Sequence, residues 1–149
     1  MLLREICTPD AVSCAADRSV LHAARLMRQH HVGDLILVED VESDPSPIGI
    51  VTDRDIVVEV LGRELDPARV TLRQIMRAPV VIACMSEDVT HALERMKLHG
   101  VRRIPVVDEA SKLIGVVSLD DLLKRLAADA ASLAEVVTRE QDREHRTRR

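Results

Sequence analysis

The chain has 149 residues, 46% apolar and 31% charged, enough for one domain with a full core or two small units fused, and too few for two large independent ones. With 21 Lys plus Arg against 25 Asp plus Glu, the net charge of −4 argues against a basic face for nucleic-acid backbones. The absence of Phe, Tyr and Trp removes the platforms on which single-stranded bases stack, so no nucleic-acid partner is expected. No apolar run approaches the roughly 20 residues of a membrane span, and Met1-Leu2-Leu3-Arg4-Glu5 lacks a signal-peptide layout, which predicts a cytoplasmic protein without membrane association. Cys7, Cys14 and Cys84 are odd in number and form no CxxC pair, against a disulfide framework or a zinc knuckle.

In chain order the elements come twice. Ile6, Val12, Val20, His22, Ala23, Met27, Val32 and Val38 match Ile75, Val81, Val89, His91, Ala92, Met96, Val101 and Val107 at an offset of 69. Beyond a longer loop in the first copy, Glu39 to Pro47, the offset becomes 66, and Gly49, Val51 and Asp55 match Gly115, Val117 and Asp121. Each copy begins with a short strand, near Val12 and from Val80 to Ala83. An amphipathic helix follows, carrying Val20, Ala23, Ala24 and Met27 in one copy and Val89, Ala92, Leu93 and Met96 in the other, with Asp17 or Ser19 and Ser86 or Asp88 as caps. Two β-branched runs then read as buried strands, Leu35 to Val38 with Ile48 to Val51, and Ile104 to Val107 with Leu113 to Val117. A second helix closes each unit, Asp53 to Leu61 stopped by Gly62, and Leu119 to about Leu126. The fold class is therefore α/β (α+β): two βαββα repeats, residues 1–70 and 71–128, that must pack together because about 60 residues bury too little alone. Residues 129–149 are expected to extend a helix through Leu126, Ala130, Leu133 and Val137 and to end in a disordered polar tail from Thr138.

The sharpest shared feature is Gly49-Ile50-Val51-Thr52-Asp53-Arg54-Asp55 and its counterpart Gly115-Val116-Val117-Ser118-Leu119-Asp120-Asp121. A hydroxyl followed three residues later by an acid satisfies free helix N–H groups as a capping box. The same pair placed where helix N–H groups converge suits a phosphate beside Thr52 or Ser118, with Asp55 or Asp121 accepting ribose hydroxyls. The two readings are compatible.

On this doubled strand-Gly-x-x-[Thr/Ser]-x-x-Asp motif and the elements before it, residues 5–126 resemble a tandem pair of cystathionine-β-synthase (CBS) domains, a Bateman module. The resemblance implies two pseudo-twofold-related repeats packed sheet to sheet around two clefts that take adenosine compounds: AMP, ADP, ATP, S-adenosylmethionine or NAD derivatives. Carried over by position, Asp55 and Asp121 resemble the ribose acids and Thr52 and Ser118 the phosphate or ribose contacts. Val12 with Val32, and Val81 with Val101, resemble the adenine slot. Arg102 and Arg103 match phosphate-holding positions, as forked donors would suit, and Arg54 is a further phosphate candidate. The first copy departs from the pattern, with Gly33 and Asp34 where the second has the arginines and Leu35-Ile36-Leu37 in place of Ile104-Pro105-Val106, so the clefts should differ and Asp34 should repel phosphate.

No nucleophile elbow, Walker loop or HExxH helix is present, and the expectation is a regulatory protein, not an enzyme. The resemblance implies that it requires no cofactor and takes an adenosine nucleotide as regulatory ligand, and the expected output runs through a separate effector protein. The resemblance adds a flat homodimer, with Val57, Val60, Leu123 and the stretch Leu126 to Val137 as contact candidates. Two alternatives stay open: a ligand-free dimerisation scaffold, since capping alone explains Thr52 and Ser118, and a metal or redox sensor through Cys14 and Cys84 with a histidine. His22, His91, His30, His31 and His99 otherwise read as exposed helix residues, and both cysteines as small buried hydrophobes.

Overall fold

A computed structural model describes residues 1–9 and 11–148. The chain order is β1 (Ser13–Ala15), α1 (Val20–His30), β2 (Asp34–Asp40), β3 (Asp44–Thr52), α2 (Asp53–Ile56) widening into a π-helical turn (Val57–Leu61), and α3 (Leu72–Ile75). The second repeat continues with β4 (Ala83–Cys84), α4 (Val89–His99), β5 (Arg103–Val107), β6 (Leu113–Ser118) and α5 (Leu119–Thr147). Two three-stranded sheets result, ordered β1-β2-β3 and β4-β5-β6, each with a parallel first pair and an antiparallel second pair. The pairings repeat as well: Leu35 lies opposite Val51 and Leu37 opposite Gly49 in one sheet, Ile104 opposite Val117 and Val106 opposite Gly115 in the other.

The helix starts resolve the cap choices in favour of Ser19, whose hydroxyl accepts from the His22 amide, and Asp88, whose carboxylate accepts from the Thr90 amide. Their ends are His31 and Gly100, both in the left-handed region, at φ 54° and 63°. The apolar faces so oriented bury Val20, Ala23 and Met27 against Leu35, Leu37 and Val51, and Ala92 and Met96 against Ile104, Val106 and Val117.

The repeats exchange their leading segments. Leu3, fully buried, sits in the second core beside Ala92 and Ile104, with Ile6 and Cys7 packed against it. Leu72, its partner at the repeat offset, is buried in the first core, with Ile75 and Met76 packed against it. Backbone bridges seal the exchange: Thr8 pairs in both directions with Val116 of β6, and Arg77 with Ile50 of β3. The motif glycines serve this approach. A Cβ on Gly115 would meet the Thr8 carbonyl oxygen at 2.5 Å, and one on Gly49 the Met76 sulfur at 2.6 Å. The division at residues 70 and 71 is thus one of sequence, since each core borrows a turn from the other half.

Three expectations need correction. The longer loop is mostly strand, because β3 begins at Asp44 and pairs Asp40 with Asp44 and Val38 with Pro47. Val60 is a fully buried core residue and offers nothing to a second chain, whereas Val57 and Leu123 are exposed. The segment from Thr138 is not a disordered tail up to Thr147: α5 runs unbroken, carried by helix-forming residues and by i,i+4 pairs such as Arg125 with Asp129 and Arg139 with Glu135. Arg149 lies outside the described residues.

Candidate functional site: two unequal clefts

Strand ends and helix starts of both repeats meet at two clefts, each built across the repeats. One, of about 200 Å³, joins Val12 and Val32 of the first repeat to Ser118 and Asp121 of the second. The other, of about 450 Å³, joins Val101, Arg102 and Arg103 of the second repeat to Thr52 and Arg54 of the first. Val81 packs instead against the second core and is not part of that lining; Ile50 stands with Val101 as the apolar wall.

In the smaller cleft the motif forms a capping box with carboxylate to spare. Asp121 Oδ2 accepts from the Ser118 amide at 3.0 Å and from the Ser118 hydroxyl at 2.6 Å, while the Asp121 amide donates to Ser118 Oγ at 3.1 Å. Asp121 Oδ1 receives no hydrogen bond among the described residues, and Thr8, on the rim of the same cleft, brings a second hydroxyl. A free carboxylate oxygen beside two valines is chemistry for a sugar hydroxyl next to an apolar ring. At about 200 Å³ the cleft is below the roughly 300–1,000 Å³ of typical ligand pockets, so a nucleoside seated there keeps part of its surface in water.

The larger cleft repeats the box with a different outcome. The Thr52 amide donates to Asp55 Oδ2 at 2.9 Å and the Asp55 amide to Thr52 Oγ1 at 3.2 Å. The remaining oxygen, Oδ1, accepts from Arg77 Nε at 3.2 Å and Nη2 at 3.0 Å. Asp55 is only 7% exposed and does not line the cleft; the guanidinium above it does. Arg77 escapes sequence patterning because it occurs once. Its counterpart at the repeat offset is Thr8, and the inequality of those two positions is the one signal that marks it.

Arg103 borders both clefts. Its guanidinium is bound by Asp34, the residue in its own position of the other repeat, so the charge expected to repel phosphate is spent on the charge expected to attract it. Burial pushes the Asp34 carboxyl above its ordinary value, with Arg103 pulling it back and Asp53 adding to the rise. Arg102 pairs with Asp120 at 3.3 Å across the mouth, while Arg54 has no carboxylate partner among the described residues.

Cys14 is buried in the first sheet, where burial raises its thiol pKa, and Cys84 lies in the second sheet with its sulfur 3.2 Å from Ser86 Oγ and 3.5 Å from Glu109 Oε1. Among the described residues no group of three or more His, Cys, Asp and Glu side chains gathers to hold a metal, and no helix is long and apolar enough to cross a membrane. His30, His31, His91 and His99 are exposed, and His22 is half-buried.

A duplicated βαββα unit with two inter-repeat clefts defines a paired-domain α/β fold, and comparison supplies the family. The family model described as the CBS domain matches residues 3–62 and again 72–128, so this chain belongs to the CBS domain family as a tandem pair. Hypoxic response protein 1 of Mycobacterium tuberculosis is 33% identical over 120 residues, which cover 80% of this chain and 81% of that protein. Its crystal structure, with two coordinated zinc ions, superposes with a TM-score of 0.73 at 29% identity over 83% of this chain and 98% of that one. The uncharacterized protein MK0525 of Methanopyrus kandleri is 33% identical over 80% of this chain, which spans 60% of its length. The CBS domain pair of MJ0100, in complex with methylthioadenosine and S-adenosyl-L-methionine, has a TM-score of 0.74 at 23% identity over 87% of this chain and 98% of that one, a likeness of fold.

Proposed function

We propose that this chain is a regulatory, non-catalytic module that binds an adenosine-containing compound in the Val12–Val32–Ser118–Asp121 cleft and passes the change to a separate effector protein. The observation that carries this reading is the Asp121 oxygen left free beside an apolar slot, while its neighbour oxygen and Ser118 satisfy the helix start. A ribose hydroxyl donates to Asp121 and the base lies against Val12 and Val32. The MJ0100 complex supports it at the level of the fold, which holds adenosine compounds in that protein. Ligand bridging the two repeats tightens one against the other, and the switch is limited by the difference in its affinity for the two arrangements. A second copy of the chain is the natural cover for α5, where Leu126, Leu133 and Val137 lie exposed along one face.

A thermal-shift panel of AMP, ADP, ATP, S-adenosylmethionine and NADH, with zinc and a chelator as separate arms, tests the reading. Ligand at 100 times its dissociation constant adds about 2.7 kcal/mol, a rise of roughly 5–10 °C for a chain of this size. A shift with at least one adenosine compound is expected. No shift with any of them leaves a scaffold, and a shift with zinc alone moves the chain to the metal-binding reading that the zinc-bound mycobacterial relative favours.

A further inference from the structure

The two clefts are related by the repeat, and Asp55 and Asp121 occupy the same place in it, yet among the described residues only Asp121 has a carboxylate oxygen without a hydrogen bond. The difference lies in the segment each repeat lends to the other. Thr8 and Arg77 make the same two-way backbone pairing, with Val116 and Ile50, at positions related by the repeat offset. The backbone therefore brings residue 8 to the cleft of Asp121 and residue 77 to the carboxylate of Asp55. A threonine reaches no further than the rim, whereas an arginine spans to the acid and places two N–H donors on one oxygen. Arg77 is itself 62% exposed on its side chain, so nothing in the core demands this rotamer; the buried acid holds it.

We propose that Arg77 is a specificity-determining residue: by holding Asp55 it closes the larger cleft to ribose recognition, so that one cleft per chain reads the sugar and the other does not. The inference deepens the reading of the Asp121 cleft and rests on it for the meaning of an acid in this position. A ribose hydroxyl needs the lone pairs of Asp55 Oδ1 that the guanidinium occupies, and displacing a charged donor for a neutral one is unfavourable. Arg77 acts through Asp55 and needs no contact with a bound molecule.

The comparison is made in an Asp121→Ala background, where the competing cleft is silent, with ATP and 2′,3′-dideoxy-ATP as probes in calorimetric titrations. Asp121→Ala alone should show no preference for the ribose hydroxyls, whether both probes bind equally or neither binds. Asp121→Ala with Arg77→Thr, which copies Thr8, should bind ATP at least about tenfold more tightly than the dideoxy compound, the scale of one hydrogen bond to a charged group. Arg77→Lys in the same background should remain without preference. Unchanged thermal unfolding of the Arg77 variants confirms that they fold. A ribose preference that survives in Asp121→Ala, or one that fails to appear on adding Arg77→Thr, overturns the proposal. If wild type shows no preference for ATP over the dideoxy compound, the Asp121 reading falls, and the Arg77 comparison is still decided by its own pair of variants.

Discussion

His31 and Gly100 end equivalent helices in the same left-handed conformation, and only one of them is a glycine. A residue with a Cβ pays about 1–2 kcal/mol there, partly offset by the greater freedom of glycine when unfolded. His31→Gly should therefore raise the urea unfolding free energy by about 0.5–1 kcal/mol. The motif glycines differ in the opposite sense. A Cβ at Gly115 meets fixed backbone and one at Gly49 meets a flexible methionine, so Gly115→Ala should cost about 1–3 kcal/mol and Gly49→Ala clearly less, measured by the same denaturation. His22 adds a pH dependence: burial foremost, with Arg18 and Arg25, lowers its pKa below the ordinary 6.5. The unfolded chain then binds more protons between the folded value and 6.5, so this stability is present above 6.5 and is lost as the pH falls through the folded value. His22→Gln should flatten that part of the stability profile.

At the scale of elements, the exchange of leading turns makes the repeats interdependent. Leu72 belongs to the second repeat by sequence and to the first core by position, so Leu72→Ala should cost about 2–5 kcal/mol, and a fragment ending at residue 70 should not fold by far-ultraviolet circular dichroism. A folded 1–70 fragment would contradict the exchange. The paired strands and amphipathic helices were legible because their signals repeat: β-branched runs in both halves and helical spacing of Val20, Ala23, Met27 and Val89, Ala92, Met96. Leu3 and Leu72 were not, since each sits in a turn of three or four residues with no period to read. The start of β3 was hidden by the Asp-, Ser- and Pro-rich stretch at 44–47, where strand pairing overrides local turn preference. In the site, Ser118 and Asp121 stood out through the motif present in both copies, and Val12 and Val32 through the family resemblance, but their gathering in one cleft across the repeats was not legible. Arg77 and the Asp34–Arg103 pair depend on what faces what across the repeats, which a linear pattern does not carry.

For the whole molecule, the pseudo-twofold axis relates like backbone and unlike side chains. Asp34 meets Arg103 across it, Arg77 stands where Thr8 stands, and a symmetric pair of units thereby holds two clefts of different size and chemistry. On the proposed reading, one sugar-reading cleft in such a scaffold would couple ligand to the relative position of the repeats without requiring both sites to fill. The most direct measurement of this account is calorimetric titration of ATP into the wild-type chain and into Asp121→Ala. The account predicts ribose-dependent binding by the wild type and at least tenfold weaker binding by Asp121→Ala, with the fold retained in both. Equal affinity in the two proteins would contradict it.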